Sequence, residues 1–333
     1  MKRALVLGAG GFIGSRLVKY LKKKGYWIRG VDIKKPEFSE TDCNEFLVLD
    51  LRDQISCTKS LSLDSENEIF DEVYQLAADM GGAGYLFTKE NDFDIVRNSA
   101  LININVSHSH NRFKKIFYAS SACVYPEDIQ GTTKGVELKE NSVYPANPDS
   151  EYGWEKLFSE RLFLSLSNNK KIEVRIARFH NIYGPEGTWR GGKEKVPAAV
   201  CRKIAELPKA GGEIEVWGDG EQTRSFLFVD ECLNGIRRLM DSDYKYPINI
   251  GSSELVSIND LVAMVSKIAN KKVTVKHIEG PIGVRGRNSD NTLIKEKLGW
   301  APNYPLKKGI KKTYEWITKQ VRLSSCLKED RNN

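Results

Sequence analysis

The run Arg3-Ala-Leu-Val-Leu7, closed by Gly8-Ala-Gly-Gly-Phe-Ile-Gly14 and followed by apolar residues at Leu17, Val18 and Leu21, narrows the choice of folds more than any other stretch. Five largely apolar residues bounded by glycine read as a strand, and the spacing after them as an amphipathic helix. Glycines at 8, 11 and 14 permit a tight turn and close backbone approach, although the spacing differs by one residue from the GxGxxG fingerprint. A helix starting there offers free N–H groups and a positive dipole end to a pyrophosphate.

The alternation continues. A second strand, residues 27–31, ends at Asp32, eighteen residues after Gly14. An acid there can accept hydrogen bonds from both ribose hydroxyls and repel a 2′-phosphate, which favours NAD; Lys34 and Lys35 keep NADP open. A third strand, residues 45–49, leads to Asp50-Leu51-Arg52 near an adenine site, and residues 53–70 are polar and loosely helical. A fourth strand, residues 72–76, ends in Ala77-Ala78-Asp-Met-Gly81-Gly82, small residues that suit a ligand lying across the sheet edge. A helix over 92–110, a strand over 114–120, a helix over 151–166 and a strand over 172–178 follow. The expected fold is α/β: a doubly wound parallel sheet (Rossmann) with a smaller mixed α/β C-terminal lobe. Residues 1–180 form the dinucleotide-binding domain with a late return segment near 226–250. Residues 181–320 form mainly the substrate lobe, with helices over 196–206, 258–269 and 306–319, and 321–333 a disordered tail.

Composition removes several alternatives. The net charge of +7 in 333 residues is spread over short lysine clusters, and no basic helix with interleaved aromatics argues for nucleic acid. Six cysteines and four histidines show no metal-ligand spacing, so no metal is expected. No apolar stretch reaches the ~20 residues of a membrane span, and no signal-peptide pattern precedes the first strand, so the cytoplasm is the expected location.

Two stretches carry chemistry. Tyr118-Ala-Ser-Ser-Ala-Cys-Val-Tyr-Pro126 sets hydroxyls and a thiol where a buried strand stops. Tyr152-Gly-Trp-Glu-Lys156 puts a phenol and an amine on one helix face, about a turn apart. Combined with the glycine turn, Tyr152-x-x-x-Lys156 resembles the extended short-chain dehydrogenase/reductase family of nucleotide-sugar-modifying enzymes. The runs 77–82, 118–123, 178–185, 217–226 and 283–291 are similar to the members of that family that epimerise GDP-hexoses. Ala83 and Trp154 depart from its pattern, which has methionine and leucine there.

The resemblance implies an NAD-dependent enzyme, a homodimer paired through the helices near 92–110 and 151–167, acting on GDP-mannose or a derivative. It implies cofactor contacts at Gly8, Gly11, Phe12, Ile13, Gly14, Asp32, Asp50, Leu51, Ala77, Ala78, Tyr152 and Lys156. It also implies substrate contacts at Gly81, Ser121, Ala122, Cys123, Asn181, Glu194, Lys195, Val196, Lys203, Gln222, Thr223, Arg224 and Arg287. Tyr152, Lys156 and Ser121 would serve oxidation of a sugar C4 hydroxyl. Cys123, its acidity enhanced by neighbouring positive charge, would be the base and Lys195 the acid for inversion at C5 and C3. Asn181, Lys203, Gln222, Arg224 and Arg287 would hold GDP and its pyrophosphate, with Arg285 competing for the phosphate. A nucleotide-sugar 4-epimerase or dehydratase, or a non-catalytic NAD-sensing regulator, are the rival readings; neither needs the thiol.

Overall fold

The structure, a computed structural model, describes residues 1–65, 67–134 and 137–332, with side chains as far as residue 326. The first part of the chain forms β1 (Arg3–Leu7), α1 (Phe12–Lys23), β2 (Trp27–Asp32), β3 (Glu45–Val48), α2 (Gln54–Leu61), β4 (Phe70–Gln75), α3 (Ala83–Leu86), α4 (Asp92–His108) and β5 (Phe113–Ser121). The middle holds β6 (Glu137–Leu138), α5 (Glu151–Lys170), β7 (Glu173–Phe179), β8 (Ile182–Tyr183), α6 (Val196–Glu206), β9 (Gly211–Trp217), β10 (Thr223–Ser225), β11 (Leu227–Phe228), α7 (Val229–Asp241) and β12 (Ile248–Ile250). The last part is β13 (Leu255–Ser257), α8 (Ile258–Ala269), β14 (Lys272–Ile278), β15 (Gly286–Ser289), α9 (Thr292–Leu298) and α10 (Leu306–Asn332).

Seven strands form a parallel sheet in the order β12-β7-β5-β4-β1-β2-β3. The period-two alternation of β1 divides its side chains between two cores. Ala4 and Val6 join Leu17, Val18 and Leu21 of α1 and Ile236 and Leu239 of α7; Leu5 and Leu7 join Val73, Ile116, Val106 of α4 and Phe163 of α5. Each such aliphatic side chain contributes about 1.5–3 kcal/mol when fully buried. Sequence order reverses between β1 and β4, so a crevice opens beyond their carboxyl ends. Gly8 and Ala77 stand at its two lips.

The second lobe is smaller and mixed. Its four-stranded sheet runs β13-β10-β15-β6, with β10 antiparallel to β13 and parallel to β15. A separate core binds α6, α8 and α10 through Val200, Ile204, Leu261, Val265, Ile310 and Ile317. Between the two lobes β11 pairs with β8, and the chain then returns through α7 to lay β12 against β7. The final helix runs past the expected stop at Lys319. Its backbone continues to Asn332, and only Asn333 of the expected tail lies outside the described residues. Leucine and lysine are good helix formers, which lets the polar stretch extend the helix beyond its buried part.

Candidate active site

At the crevice the glycine turn fits a dinucleotide by what it leaves out. Gly8 has φ +87°, and a Cβ there would lie 2.8 Å from the Ala77 amide nitrogen. A Cβ on Gly14 would lie 2.0 Å from the Gly8 carbonyl oxygen, and one on Gly10 2.1 Å from that of Lys34. Gly11 caps α1 without any side-chain hydrogen bond, so the first-turn N–H groups face the crevice uncovered. Asp32 accepts from the Gly10 N–H at 2.9 Å, and burial raises its carboxyl against the pull of the Lys34 and Gly10 amides. Phe12 borders the same crevice, whereas Ile13 packs on the core. Asp50 is pinned by Arg52, and the Leu51 side chain is buried in the core, which leaves only its backbone for any ligand.

The phenol–amine pair lies beyond Ala77 and Ala78. Ser150 caps α5 by accepting from the Gly153 N–H at 3.3 Å, which orients Tyr152 and Lys156 toward the end of β5. Ser121 lies close enough to the Tyr152 phenol to draw its titration down against burial. Lys156 Nζ donates to the Ala119 carbonyl at 3.1 Å and sits 5.5 Å from the Tyr152 ring centroid. Burial pushes the Tyr152 phenol well up and the Lys156 amine down, the latter opposed mainly by Glu155. Close packing here depends on Gly153: a Cβ would stand 2.2 Å from the Cys123 carbonyl oxygen.

The thiol follows in a short 3-10 turn, Ala122–Val124, and Cys123 packs with Tyr152, Leu86 and Ile95. Arg287 Nη1 donates to Cys123 Sγ at 3.2 Å, and the Cys123 N–H donates to Ser121 Oγ at 3.2 Å. The sequence reading expected nearby cations to make the thiol more acidic. The net shift is upward, because burial and the Asp149 carboxylate outweigh Arg287. Arg287, expected at the pyrophosphate, lies beside the thiol, where Nε donates to Gln130 at 2.7 Å and Nη2 to Asp149 at 2.5 Å. Lys195 feels Cys123 electrostatically, and burial pushes its amine down.

A latch brings Lys195 there. A Cβ on Gly82 would lie 2.1 Å from the Glu194 carbonyl oxygen, so the two loops can meet only at glycine. The Gly82 N–H donates to Lys193 O at 3.0 Å, Lys193 Nζ lies 3.7 Å from the Tyr85 ring centroid, and the Tyr85 hydroxyl donates to Asp79 at 2.8 Å. Gly81 packs on Tyr85, Glu194 accepts from Arg202, and Val196 opens α6 directly after Lys195.

Farther out, β10 and β15 set Arg224 opposite Arg287. Among the described residues Arg224 donates to the carbonyls of Thr223, Ile282 and Val284 and pairs with no carboxylate, and burial with the nearby Arg287 charge pushes it down to about 9. A half-buried guanidinium without an ion-pair partner suits an anion. Gln222 Oε1 is buried without a partner among the described residues, while its amide donates to Trp217 O. Asn181 holds φ +44° and donates to Ser225 O; Thr223 donates to Thr133 O; Lys203 donates to Glu215 O at 2.6 Å at the lobe's edge. Arg285 points outward and pairs with Asp219. Among the described residues no cluster could hold a metal, and no helix is long and apolar enough to cross a membrane. Gly10, Gly82, Tyr85, Gln130, Asp149 and Gly153 were not singled out from sequence. Of these, Gly10, Gly82 and Gly153 lay within motifs already noted.

Known proteins resemble this one along nearly its whole length. It is 49 % identical to GDP-mannose 3,5-epimerase of Arabidopsis thaliana over 98 % of this chain and 84 % of that protein. It is 48 % identical to GDP-mannose 3,5-epimerase 1 of Oryza sativa subsp. indica over 96 % and 82 %. UDP-glucose 4-epimerase of Thermotoga maritima, solved with UDP-glucose, matches with a TM-score of 0.83 at 24 % identity, over 96 % of this chain and 99 % of that one. UDP-glucuronic acid 4-epimerase from Bacillus cereus, in complex with UDP-glucuronic acid and NAD, matches with 0.79 at 24 % over the same shares. Those two likenesses speak to the fold. The profile of the NAD dependent epimerase/dehydratase family covers residues 4–251. With that span matched, and nearly half the residues identical to curated epimerases, the chain belongs to the NAD dependent epimerase/dehydratase family.

Proposed function

We propose that the protein epimerises a GDP-hexose, GDP-mannose or a derivative, at C5 and C3. A sugar carbon bearing hydroxyl is not acidic, so the C4 hydroxyl must first become a ketone, whose neighbouring carbanions are enolates. Bound NAD supplies the acceptor and donor for that hydride. Gly8, Gly11, Gly14 and the α1 N-terminus would seat its pyrophosphate, and Asp32 its ribose. Tyr152 takes the C4 hydroxyl proton, with Ser121 holding the same oxygen and Lys156 supplying positive charge to the phenolate. Cys123 removes the proton next to the ketone from one face, and Lys195 delivers one to the other.

The observation that carries this reading is the thiol packed against Tyr152 with the buried Lys195 within electrostatic reach of it, because hydride transfer alone needs neither group. The named plant relatives support GDP-mannose as substrate. Arg224 and the unpartnered Gln222 oxygen suit the nucleotide end. Incubation with GDP-mannose in heavy water should place deuterium at C5 and C3; turnover of another nucleotide sugar without exchange would sink the assignment. Cys123→Ala should abolish exchange while still reducing bound cofactor, seen as absorbance near 340 nm, roughly the ordinary nicotinamide signature.

We further propose a homodimer in the cytosol. Phe93 on α4 and Trp154 and Phe158 on α5 leave an exposed apolar face on two packed helices, which suits a copy of itself. Six free thiols suit a reducing compartment. Light scattering of wild type and Phe158→Glu tests the dimer, which should separate into monomers in the variant; an unchanged mass refutes this face.

A further inference from the structure

Asp149 belongs to none of the motifs above, yet it joins the two halves of the site. Its Oδ2 lies 2.5 Å from Arg287 Nη2, and its Oδ1 accepts from Ser150 Oγ at 3.0 Å. Ser150 in turn caps the helix that carries Tyr152. Arg287 completes the chain through Nη1 to Cys123 Sγ, with Nε held by Gln130. Both charged side chains are nearly sealed from water, 6 % and 2 % exposed. A buried pair of this kind is a poor source of net stability, so its retention beside a thiol calls for another reason.

We propose that Asp149 is a positioning residue for proton exchange at Cys123: it clamps the Arg287 guanidinium against Sγ and ties that contact to the start of the helix bearing Tyr152. This rests on the reading of Cys123 as the base. Without the clamp the guanidinium can turn away, and the thiol loses its fixed relation to the phenol that defines where the sugar sits. The carboxylate has a second effect through its charge. It opposes the thiolate that Arg287 favours, and the remaining groups facing the thiol are Arg224, Lys195, Lys156 and the neutral Tyr152 phenol.

Replacement of Asp149 by asparagine keeps the shape and removes the charge. With Arg287 still on Sγ, the thiol should then titrate lower, with a larger thiolate fraction at neutral pH. The full-length protein, wild type, Asp149→Asn and Asp149→Glu, is alkylated with iodoacetamide across a pH series. The Cys123 peptide is followed by mass spectrometry so that the other cysteines do not interfere. Deuterium exchange into GDP-mannose is measured in parallel.

The asparagine variant should show slower exchange at saturating substrate, by about tenfold or more, with an alkylation midpoint that falls where Arg287 stays on Sγ and rises where it turns away. The glutamate variant, which keeps the charge but displaces it, should keep the wild-type midpoint and lose exchange rate. Undiminished exchange in both variants overturns the proposal. Alkylation reads the charge balance at the thiol whether or not the thiol is the base. Exchange surviving in Cys123→Ala strikes the base assignment alone, so the two failures are distinguishable.

Discussion

Gly153 offers the sharpest test of how the site is held together. A Cβ at this position would stand 2.2 Å from the Cys123 carbonyl oxygen and 2.8 Å from Pro148 Cβ. A carbon–oxygen contact normally needs about 3.3–3.6 Å. In Gly153→Ala, therefore, α5 and the thiol turn must part by roughly 1 Å, and Pro148 blocks an easy slide. Overpacking costs about 1–3 kcal/mol. Alanine in place of a helical glycine returns about 1 kcal/mol. The net loss of stability is then only about 0–2 kcal/mol, whereas a 1 Å displacement of reacting groups costs about a hundredfold in rate. The signature is a loss of activity far larger than the loss of stability. Deuterium incorporation from heavy water into GDP-mannose, paired with calorimetry, measures both. Turnover within about twofold of wild type would refute the argument that this contact sets the distance between Tyr152 and Cys123.

Three further outcomes follow from named contacts. Asp32→Asn keeps an acceptor for the Gly10 N–H but loses the charge, so titration with the two cofactors should show the preference for NAD over NADP shrinking by about tenfold. His180 is buried, donates or accepts at Asn249, and is pushed down to about 3 by burial. Its neutral form belongs to the fold, so the stability it allows is complete above the unfolded value of about 6.5 and is lost as pH falls toward 3. That loss amounts to about 2 kcal/mol by pH 5, and His180→Gln should flatten the acid limb of a Tm-against-pH curve. Lys195→Met should leave exchange on the face served by Cys123 while stopping inversion, so recovered substrate carries deuterium but no epimer forms; inverted product from this variant would remove Lys195 as the acid.

What the sequence made legible was whatever sits within one strand–turn–helix. The glycine turn, Asp32, the end of β5 and the Tyr152/Lys156 spacing are local patterns, and local periodicity constrains them. The partners of the thiol are not local. Arg287 reaches Cys123 across 164 residues and Asp149 across 138, because β10 lies parallel to β15 in a sheet whose strands are two to four residues long. Such short strands carry no usable period, so nothing in the sequence announced that pairing. The direction of the thiol's shift was missed for a related reason. Nearby cations can be guessed from a motif, but burial and a distant carboxylate cannot. Likewise the long polar end of α10 reads as a tail because its outer turns lack the apolar stripe that marks a packed helix.

The upward shift of the thiol changes the picture of the proton exchange rather than weakening it. A thiol made strongly acidic would be a feeble base toward a carbon acid, since proton transfer is most effective when donor and acceptor are matched. Burial disfavours both charged forms, so it moves Cys123 up and Lys195 down. During inversion one group gains a proton and the other loses one, and the pair must be restored before the next turnover. On the proposed reading, that restoration runs between a thiol and an amine whose charged forms are both disfavoured by burial. Arg287 holds the thiol in place while the pair is restored, and Asp149 offsets its charge. On the proposed reading the apolar packing of Leu86, Ile95 and Tyr152 around Cys123 bears on the chemistry, because it supplies burial that disfavours the thiolate.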